Sequence, residues 1–270
     1  MTTLLAVMGN PVEHSRSPTI HAAFADSVGI DLNYEKILVP EGQFESMAKD
    51  FMIEGFGLNI TLPFKGQAFQ LVDLCSNKAE MAQSVNTISR NNSGQIIGDN
   101  TDGGGLKRDL LYNLGWSLEA KNLLILGAGG AVRGVIADLL ETKPFSIDLW
   151  NRTHLRALEL ERQFNNSRLR AVDSDNLSSG YDVIINGTSA GLSSEVIQLP
   201  RRIVKEHSHC YDMIYGQAIT DFNRWCLKQA DCTVADGLGM LVEQAALAFE
   251  IWFDVEVQTN NVIKRLRESL

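Results

Sequence analysis

Leu123-Leu124-Ile125-Leu126-Gly127-Ala128-Gly129-Gly130-Ala131-Val132-Arg133 is the stretch that decides the fold of this chain. A short, fully apolar run suits a strand at the centre of a parallel sheet, where helices cover both faces. Glycines follow directly, and a helix is expected from about Ala131 to Leu140. In that setting a tight turn lets backbone N–H groups approach a pyrophosphate at the positive end of the helix. Gly127, Ala128, Gly129, Gly130 and Ala131 are therefore candidate nucleotide ligands. Val132 stands where the third glycine of the usual pattern would be. The plain alternative is a tight strand-to-helix turn kept only for packing.

The next strand decides which nucleotide. It is expected over Phe145 to Trp150 and runs into Asn151-Arg152-Thr153, with Arg156 one helical turn on. A site for NAD ends this strand with an acid that accepts from the ribose hydroxyls. Here there is none. A guanidinium forks onto phosphate oxygens, so Arg152 favours the 2′-phosphate of NADP(H). A helix from Leu155 to Phe164, strands at Val183–Asn186, Tyr211–Ile214 and Thr233-Val234, and a helix from Ala218 to Lys228 complete a Rossmann-like doubly wound domain, placed at 106–237.

Upstream, strands and helices also alternate, which points to an α/β domain with a largely parallel sheet. Strands are expected at Leu4–Met8, Tyr34–Val39, Phe56–Thr61, Val85–Ser89 and Gln95–Gly98. Helices are expected from Ser17-Pro18, with serine as N-cap and proline in the first turn, and over Gln43–Ile53. The segment from Met240 reads as helical and is expected to return to this first domain. Residues 1–105 would then be completed by 238–270, with a cleft between the two domains.

Polar residues in this first domain stand where packing alone would not need them. Ser15 and Ser17 lie in Gly9-Asn10-Pro11-Val12-Glu13-His14-Ser15-Arg16-Ser17-Pro18. Thr61 and Lys65 lie in Asn59-Ile60-Thr61-Leu62-Pro63-Phe64-Lys65, off the end of an expected strand. Asn86 sits in Ser84-Val85-Asn86-Thr87, and Asp102 in Gly98-Asp99-Asn100-Thr101-Asp102-Gly103 ahead of a helix, where it could equally be a cap. Read as a calcium loop, the last cluster fails, because it starts on Gly98 and ends on Asp109. Gln244 shares a helix face with Met240, Ala248 and Trp252 and must find hydrogen-bond partners. Tyr215 follows a strand's C-terminal end, where ligands of open α/β sheets bind.

The net charge of −9 over 270 residues argues against nucleic acid or an anionic membrane as partner. No stretch approaches the roughly 18 apolar residues of a membrane span, and the start resembles no signal peptide. The four cysteines form no C-x-x-C pair; reduced, mostly buried thiols in a cytoplasmic protein and no metal are expected.

Together these motifs resemble the shikimate dehydrogenase family. G-N-P-V-E-H-S-R-S-P, N-I-T-L-P-F-K, S-V-N-T, G-D-N-T-D-G, G-A-G-G-A-V-R, N-R-T, I-N-G-T-S, D-M-I-Y and G-L-G-M-L-V-E-Q follow in family order over essentially the whole chain. Ile60 and Val132 depart from the family pattern. The resemblance implies reversible, NADP(H)-dependent reduction of 3-dehydroshikimate to shikimate, in aromatic amino-acid biosynthesis. It implies that Ser15 and Ser17 hold the substrate carboxylate, and that Thr61, Asn86, Tyr215 and Gln244 bind the rest of the substrate. Lys65 and Asp102 would be the catalytic pair. Thr188, Met213 and Gly237 would line the nicotinamide end, and Asn151, Arg152 and Thr153 would set cofactor preference. A broader quinate/shikimate dehydrogenase and a non-catalytic NADP-binding sensor are the alternatives. Small molecules are the expected partners, and a monomer and a homodimer are equally compatible.

Overall fold

The computed structural model describes residues 2–188 and 199–270. It divides into two units: Met1–Gly105 with Leu241–Arg265, and Leu106–Met240 with Leu266–Leu270. The chain begins with β1 (Thr3–Gly9), α1 (Ser17–Val28), β2 (Leu32–Leu38), α2 (Phe44–Glu54) and β3 (Gly57–Ile60). Then come α3 (Lys65–Leu71), β4 (Leu74–Cys75), α4 (Asn77–Ala82), β5 (Thr87–Arg90), β6 (Ile96–Asp99) and α5 (Asp102–Arg108). A π-helical turn at Asp109–Asn113 leads to β7 (Asn122–Leu126), α6 (Gly130–Glu141), β8 (Ser146–Trp150), α7 (His154–Phe164) and β9 (Leu169–Val172). The remainder is β10 (Tyr181–Asn186), β11 (Val204–Asp212), α8 (Asp221–Leu227), β12 (Thr233–Asp236), α9 (Leu238–Phe253) and α10 (Asn260–Ser269).

The first sheet has the order β2-β1-β3-β5-β6-β4. β1 is parallel to β2 and β3, whereas β5 runs antiparallel to β3 and β6. β4 is parallel to β6, so only β5 runs against the other strands and the largely parallel expectation holds. The turn at Asn91–Gln95 folds β5 and β6 into a hairpin, which only antiparallel strands permit. Alternation along β1 splits the core between two faces. Ala6 and Met8 pack with Phe44 and Ala48 of α2 and with Ala68 of α3. Leu5 packs with Ala248 and Trp252 of α9. On that same face, His21 and Phe24 of α1 meet the ring of Phe249.

The second sheet has the order β12-β11-β10-β7-β8-β9 and every pair in it is parallel. Counted from β7, that is the doubly wound order of dinucleotide-binding folds, with its reversal between β7 and β10. Leu123, Leu124, Ile125 and Leu126 are all fully buried, as a central strand requires. α6 buries Val132, Val135, Ile136 and Leu139 against it, the spacing of one helix face.

Several local expectations are corrected. Ser17 lies inside α1 rather than capping it; Arg16 is the N-cap residue and makes no side-chain cap bond. β5 starts at Thr87, and the Val85 N–H ahead of it donates outside the sheet to the Lys65 carbonyl. α8 starts at Asp221, where the Thr220 hydroxyl accepts from the Asn223 N–H. The terminal helix is two helices. Asp254, with φ of 53°, ends α9 in the left-handed conformation typical of helix stops. The unit boundaries fall inside α5, α9 and α10, and the second unit keeps Leu238–Met240 and Leu266–Leu270. Arg267 holds those last residues by pairing with Asp236 at the end of β12. Cys210 and Cys226 are buried, Cys75 and Cys232 half-buried, and all four are free thiols. Among the described residues, no helix is long and apolar enough to cross a membrane.

Candidate active site and nucleotide-binding turn

In the first unit, four expected site residues converge. Lys65 opens α3, and its carbonyl accepts from the Val85 N–H at 3.0 Å, which anchors it beside the Ser84–Thr87 segment. The Leu62–Pro63 peptide ahead of it is cis. Asp102 opens α5. The Lys65 Nζ donates to Asp102 Oδ2 at 2.6 Å, and the two side chains keep only 18% and 8% of their surface accessible. A charge-assisted bond this short, screened by so little water, is strong.

Asn86, 2% exposed, is the hub. Its Nδ2 donates to Asp102 Oδ1 at 2.9 Å and to Thr101 Oγ1 at 2.9 Å, with Gln244 Oε1 at 3.4 Å. Its Oδ1 accepts from the Thr101 N–H and from Thr87 Oγ1, each at 2.9 Å. The backbone of Asn86 is fixed as well, donating to Asp99 and accepting from Ile60. Gln244 reaches this group because α9 lies against α5 at Gly105. A Cβ there would sit 2.6 Å from the Gln244 backbone nitrogen, so only glycine allows the approach. Thr61 is half-buried at the end of β3, its N–H bonded to the Met8 carbonyl. Ser15 Oγ accepts from the Ser17 N–H at 3.3 Å, and Ser17 is buried.

Four residues of this group were not singled out from sequence. Asn100 accepts from the Asp102 N–H at 3.1 Å and donates to the Ser84 carbonyl at 2.9 Å. Thr101 and Thr87 flank Asn86, and Asn59 donates to the Asn86 carbonyl at 3.2 Å. All four lie inside quoted motifs, and their near-complete burial is what marks them. Polar side chains at the ends of short strands were the available signal.

The second unit carries the glycine turn. Gly127 ends β7 with φ of 109°, a conformation side chains resist, and its N–H donates to the Trp150 carbonyl at 2.7 Å. Gly129 is the N-cap of α6, and Gly129, Gly130 and Ala131 are exposed. A Cβ at 129 or 130 would meet no atom within 4 Å, so the turn is uncrowded where the first-turn N–H groups of α6 lack intrahelical acceptors. Those donors and the helix dipole fit a pyrophosphate. β8 ends at Trp150 without an acid. Beyond it, Arg152, Thr153 and Arg156 are exposed, and Asn151 Nδ2 donates to the Thr153 carbonyl at 2.9 Å. Two guanidiniums at that strand end fit a phosphorylated ribose.

At the ends of β10 and β11, Thr188 donates through its Oγ1 to Asn186 Oδ1 at 2.7 Å, and Asn186 Nδ2 donates to Asp212 Oδ1 at 3.0 Å. Burial holds the Asp212 carboxyl above its usual range. Met213 follows Asp212, and Gly237 packs so closely that a Cβ would lie 2.2 Å from the Met213 carbonyl oxygen. Asn186 and Asp212 were also missed, although a polar residue closing an apolar strand is visible in both segments. Tyr215 belongs to this unit, three residues past β11. Ser189, the last residue of the I-N-G-T-S motif, lies outside the described residues.

A doubly wound sheet with a glycine turn, in one chain with a unit that ties an amine to a carboxylate, is the build of a nucleotide-dependent dehydrogenase. Residues 7–88 match the shikimate dehydrogenase substrate-binding domain, 110–208 the shikimate/quinate 5-dehydrogenase domain, and 237–267 the shikimate 5′-dehydrogenase C-terminal domain. The chain is 48% identical to an NADP(+) shikimate dehydrogenase of Alkalilimnicola ehrlichii, with 99% of both chains covered. It superimposes on the shikimate 5-dehydrogenase of Thermus thermophilus in complex with NADP(H) and shikimate with a TM-score of 0.89, at 32% identity and 100% coverage of both. The Ael1 enzyme of Pseudomonas putida gives a TM-score of 0.93 at 38% identity, covering 98% of each chain. The chain belongs to the shikimate dehydrogenase family.

Proposed function

We propose that this protein interconverts 3-dehydroshikimate and shikimate, using NADP(H) held by the second unit and a Lys65–Asp102 couple in the first. The short, nearly dry Lys65–Asp102 bond carries the reading, and membership of the family supports the substrate. Reducing a ketone requires a hydride on carbon and a proton on oxygen. When bound, NADPH supplies the hydride. Lys65 supplies the proton: its ammonium faces the carbonyl oxygen, gives up one N–H as the alcohol forms, and regains a proton from water. In the reverse direction the neutral amine takes the hydroxyl proton. General acid–base assistance of this kind is worth about 10²- to 10⁴-fold.

Asp102 holds the lysine Nζ and accepts the adjacent substrate hydroxyl. Asn86, Thr61, Gln244 and Tyr215 bind the remaining hydroxyls, and Ser15 and Ser17 take the carboxylate. The α6 N-terminus at Gly127–Ala131 cradles the pyrophosphate, Arg152 and Arg156 with Asn151 and Thr153 bind the 2′-phosphate, and Thr188, Met213 and Gly237 line the nicotinamide end. The test is oxidation of shikimate with NADP followed at 340 nm, wavelength chosen as about that of reduced nicotinamide, with quinate and NAD run beside it. Turnover of shikimate with NADP is expected; none at saturating shikimate rejects the reading, and equal rates with quinate would widen the substrate class.

A further inference from the structure

We propose that Tyr34 is a positioning residue, its hydroxyl acting through Asn59 and Thr87 to keep the amide of Asn86 turned with its NH2 toward the Asp102 carboxylate. The inference rests on the roles given above to Lys65 and Asp102. Tyr34 Oη donates to Asn59 Oδ1 at 2.6 Å. Asn59 Nδ2 donates to Thr87 Oγ1 at 3.2 Å, Thr87 Oγ1 donates to Asn86 Oδ1 at 2.9 Å, and Asn86 Nδ2 donates to Asp102 Oδ1 at 2.9 Å. Every donor points the same way along this chain, from a phenol on β2 to the carboxylate that holds Lys65.

The direction follows from proton inventory. A protonated phenol bonded to a carboxamide oxygen leaves that amide with its NH2 facing away, here toward Thr87. A threonine hydroxyl that accepts there has its one proton free for Asn86 Oδ1. That oxygen also accepts from the Thr101 N–H at 2.9 Å and from Thr101 Oγ1 at 3.2 Å, so the chain adds to the restraint that Thr101 supplies. Without the phenol proton, only the Asn86 carbonyl, which accepts from Asn59 Nδ2 at 3.2 Å, still opposes a turn of the Asn59 oxygen toward Thr87; when it turns, the threonine proton follows it away from Asn86. The reversed Asn86 amide would set an oxygen against a carboxylate oxygen and repel it.

The surroundings keep Tyr34 a donor. Burial pushes its phenol far above the ordinary range, so the proton stays on. The His21 ring stacks flat on it, with centroids 4.6 Å apart and an 8° angle, and is fully buried. Neither ring nitrogen of His21 meets hydrogen-bond geometry, although the Asn59 side chain neighbours the imidazole, so the ring does not take the phenol proton. The Ser17 side chain borders the same phenol.

Tyr34→Phe keeps the ring on His21 and removes only the hydroxyl. We expect a cooperative melt, an unchanged KM for NADP, and kcat for shikimate oxidation lowered about tenfold, the scale of one hydrogen bond. Thr87→Val cuts the same chain further on and should lower kcat similarly. The double variant should fall no further than the worse single one, because both remove one path. A purely structural role would shift the melting temperature and leave the folded fraction turning over at the wild-type rate. Wild-type kcat in Tyr34→Phe, or losses that multiply in the double variant, would overturn the proposal. Should Tyr34→Phe fold poorly, Thr87→Val decides alone: a wild-type kcat there overturns it too. If the wild-type protein itself fails to oxidise shikimate, the functional reading falls. Proton exchange of the Asn86 side-chain amide, followed by NMR, then reads the chain directly: faster exchange in Tyr34→Phe supports it, and an unchanged rate rejects it.

Discussion

Lys65 and Asp102, 37 residues apart in sequence, meet at 2.6 Å, and the carboxylate oxygen not used by the lysine is held by Asn86. An ammonium fixed in this way presents its remaining protons along set directions. Replacing Lys65 with Met keeps most of the stem and removes the proton. Turnover of shikimate should fall about 10²- to 10⁴-fold while NADPH binding, measured by fluorescence titration, stays within experimental error. Retained turnover would show that another group carries the proton.

Asp102→Asn preserves shape but removes the charge that holds the lysine. The carboxylate's bonds to Lys65 and Asn86 are each of the kind worth about 1.5–3 kcal/mol, so kcat/KM for shikimate should drop about 10- to 100-fold. The KM for NADP should not move. A loss confined to the KM for NADP would place Asp102 in a different role.

Arg152 stands exposed past the end of β8, where no acid is present. Arg152→Ala should raise the KM for NADP about 10- to 100-fold through loss of a charge-assisted contact and leave the KM for NAD nearly unchanged. Steady-state titration with both cofactors reads the ratio. Equal effects on the two would remove Arg152 from phosphate binding.

His21 makes stability depend on pH. Burial lowers its pKa from 6.5 to about 3, the neighbouring Asn59 countering only in part. Below pH 6.5 the unfolded chain takes up a proton that the native imidazole refuses, so the unfolded state binds more protons and stability falls with pH. The contribution is complete above pH 6.5 and is lost as pH drops toward about 3, by up to about 1.4 kcal/mol per pH unit. His21→Phe keeps the aromatic packing and should flatten this part of the curve. Urea melts at pH 7.5, 6 and 5, chosen to span roughly the ordinary imidazole value, compare the two proteins. Parallel curves would show that His21 does not set the slope.

The glycine turn and the polar motifs were readable because each is a run of neighbours whose spacing has one physical meaning. Leu123–Leu126 could only be a buried strand, and an arginine after Trp150 where an acid is expected carries its own chemistry. Tyr34 and His21 were not readable. A tyrosine on a strand and a histidine on a helix face look like ordinary core residues. Their meaning depends on register: Leu5 pairs with Tyr34 on one side of β1 and Val7 with Asn59 on the other, which brings phenol and carboxamide together across the intervening strand. The antiparallel β5 was readable in part, because the turn residues Asn91-Asn92-Ser93-Gly94 join it to β6. The seven-residue α3 and six-residue α4 are too short to show a period.

Because the first unit takes Leu241–Arg265 from the far end of the chain, its assembly must wait for nearly the whole polypeptide. As the ribosome extends the protein, Leu5, His21 and Tyr34 emerge early and cover only one another until Phe249 and Trp252 follow. Gln244 joins Asn86 and Thr101 at that same late moment. Truncations that stop before α9 should therefore leave an adhesive sheet face on the nascent chain, whereas the parallel sheet of the second unit can already close.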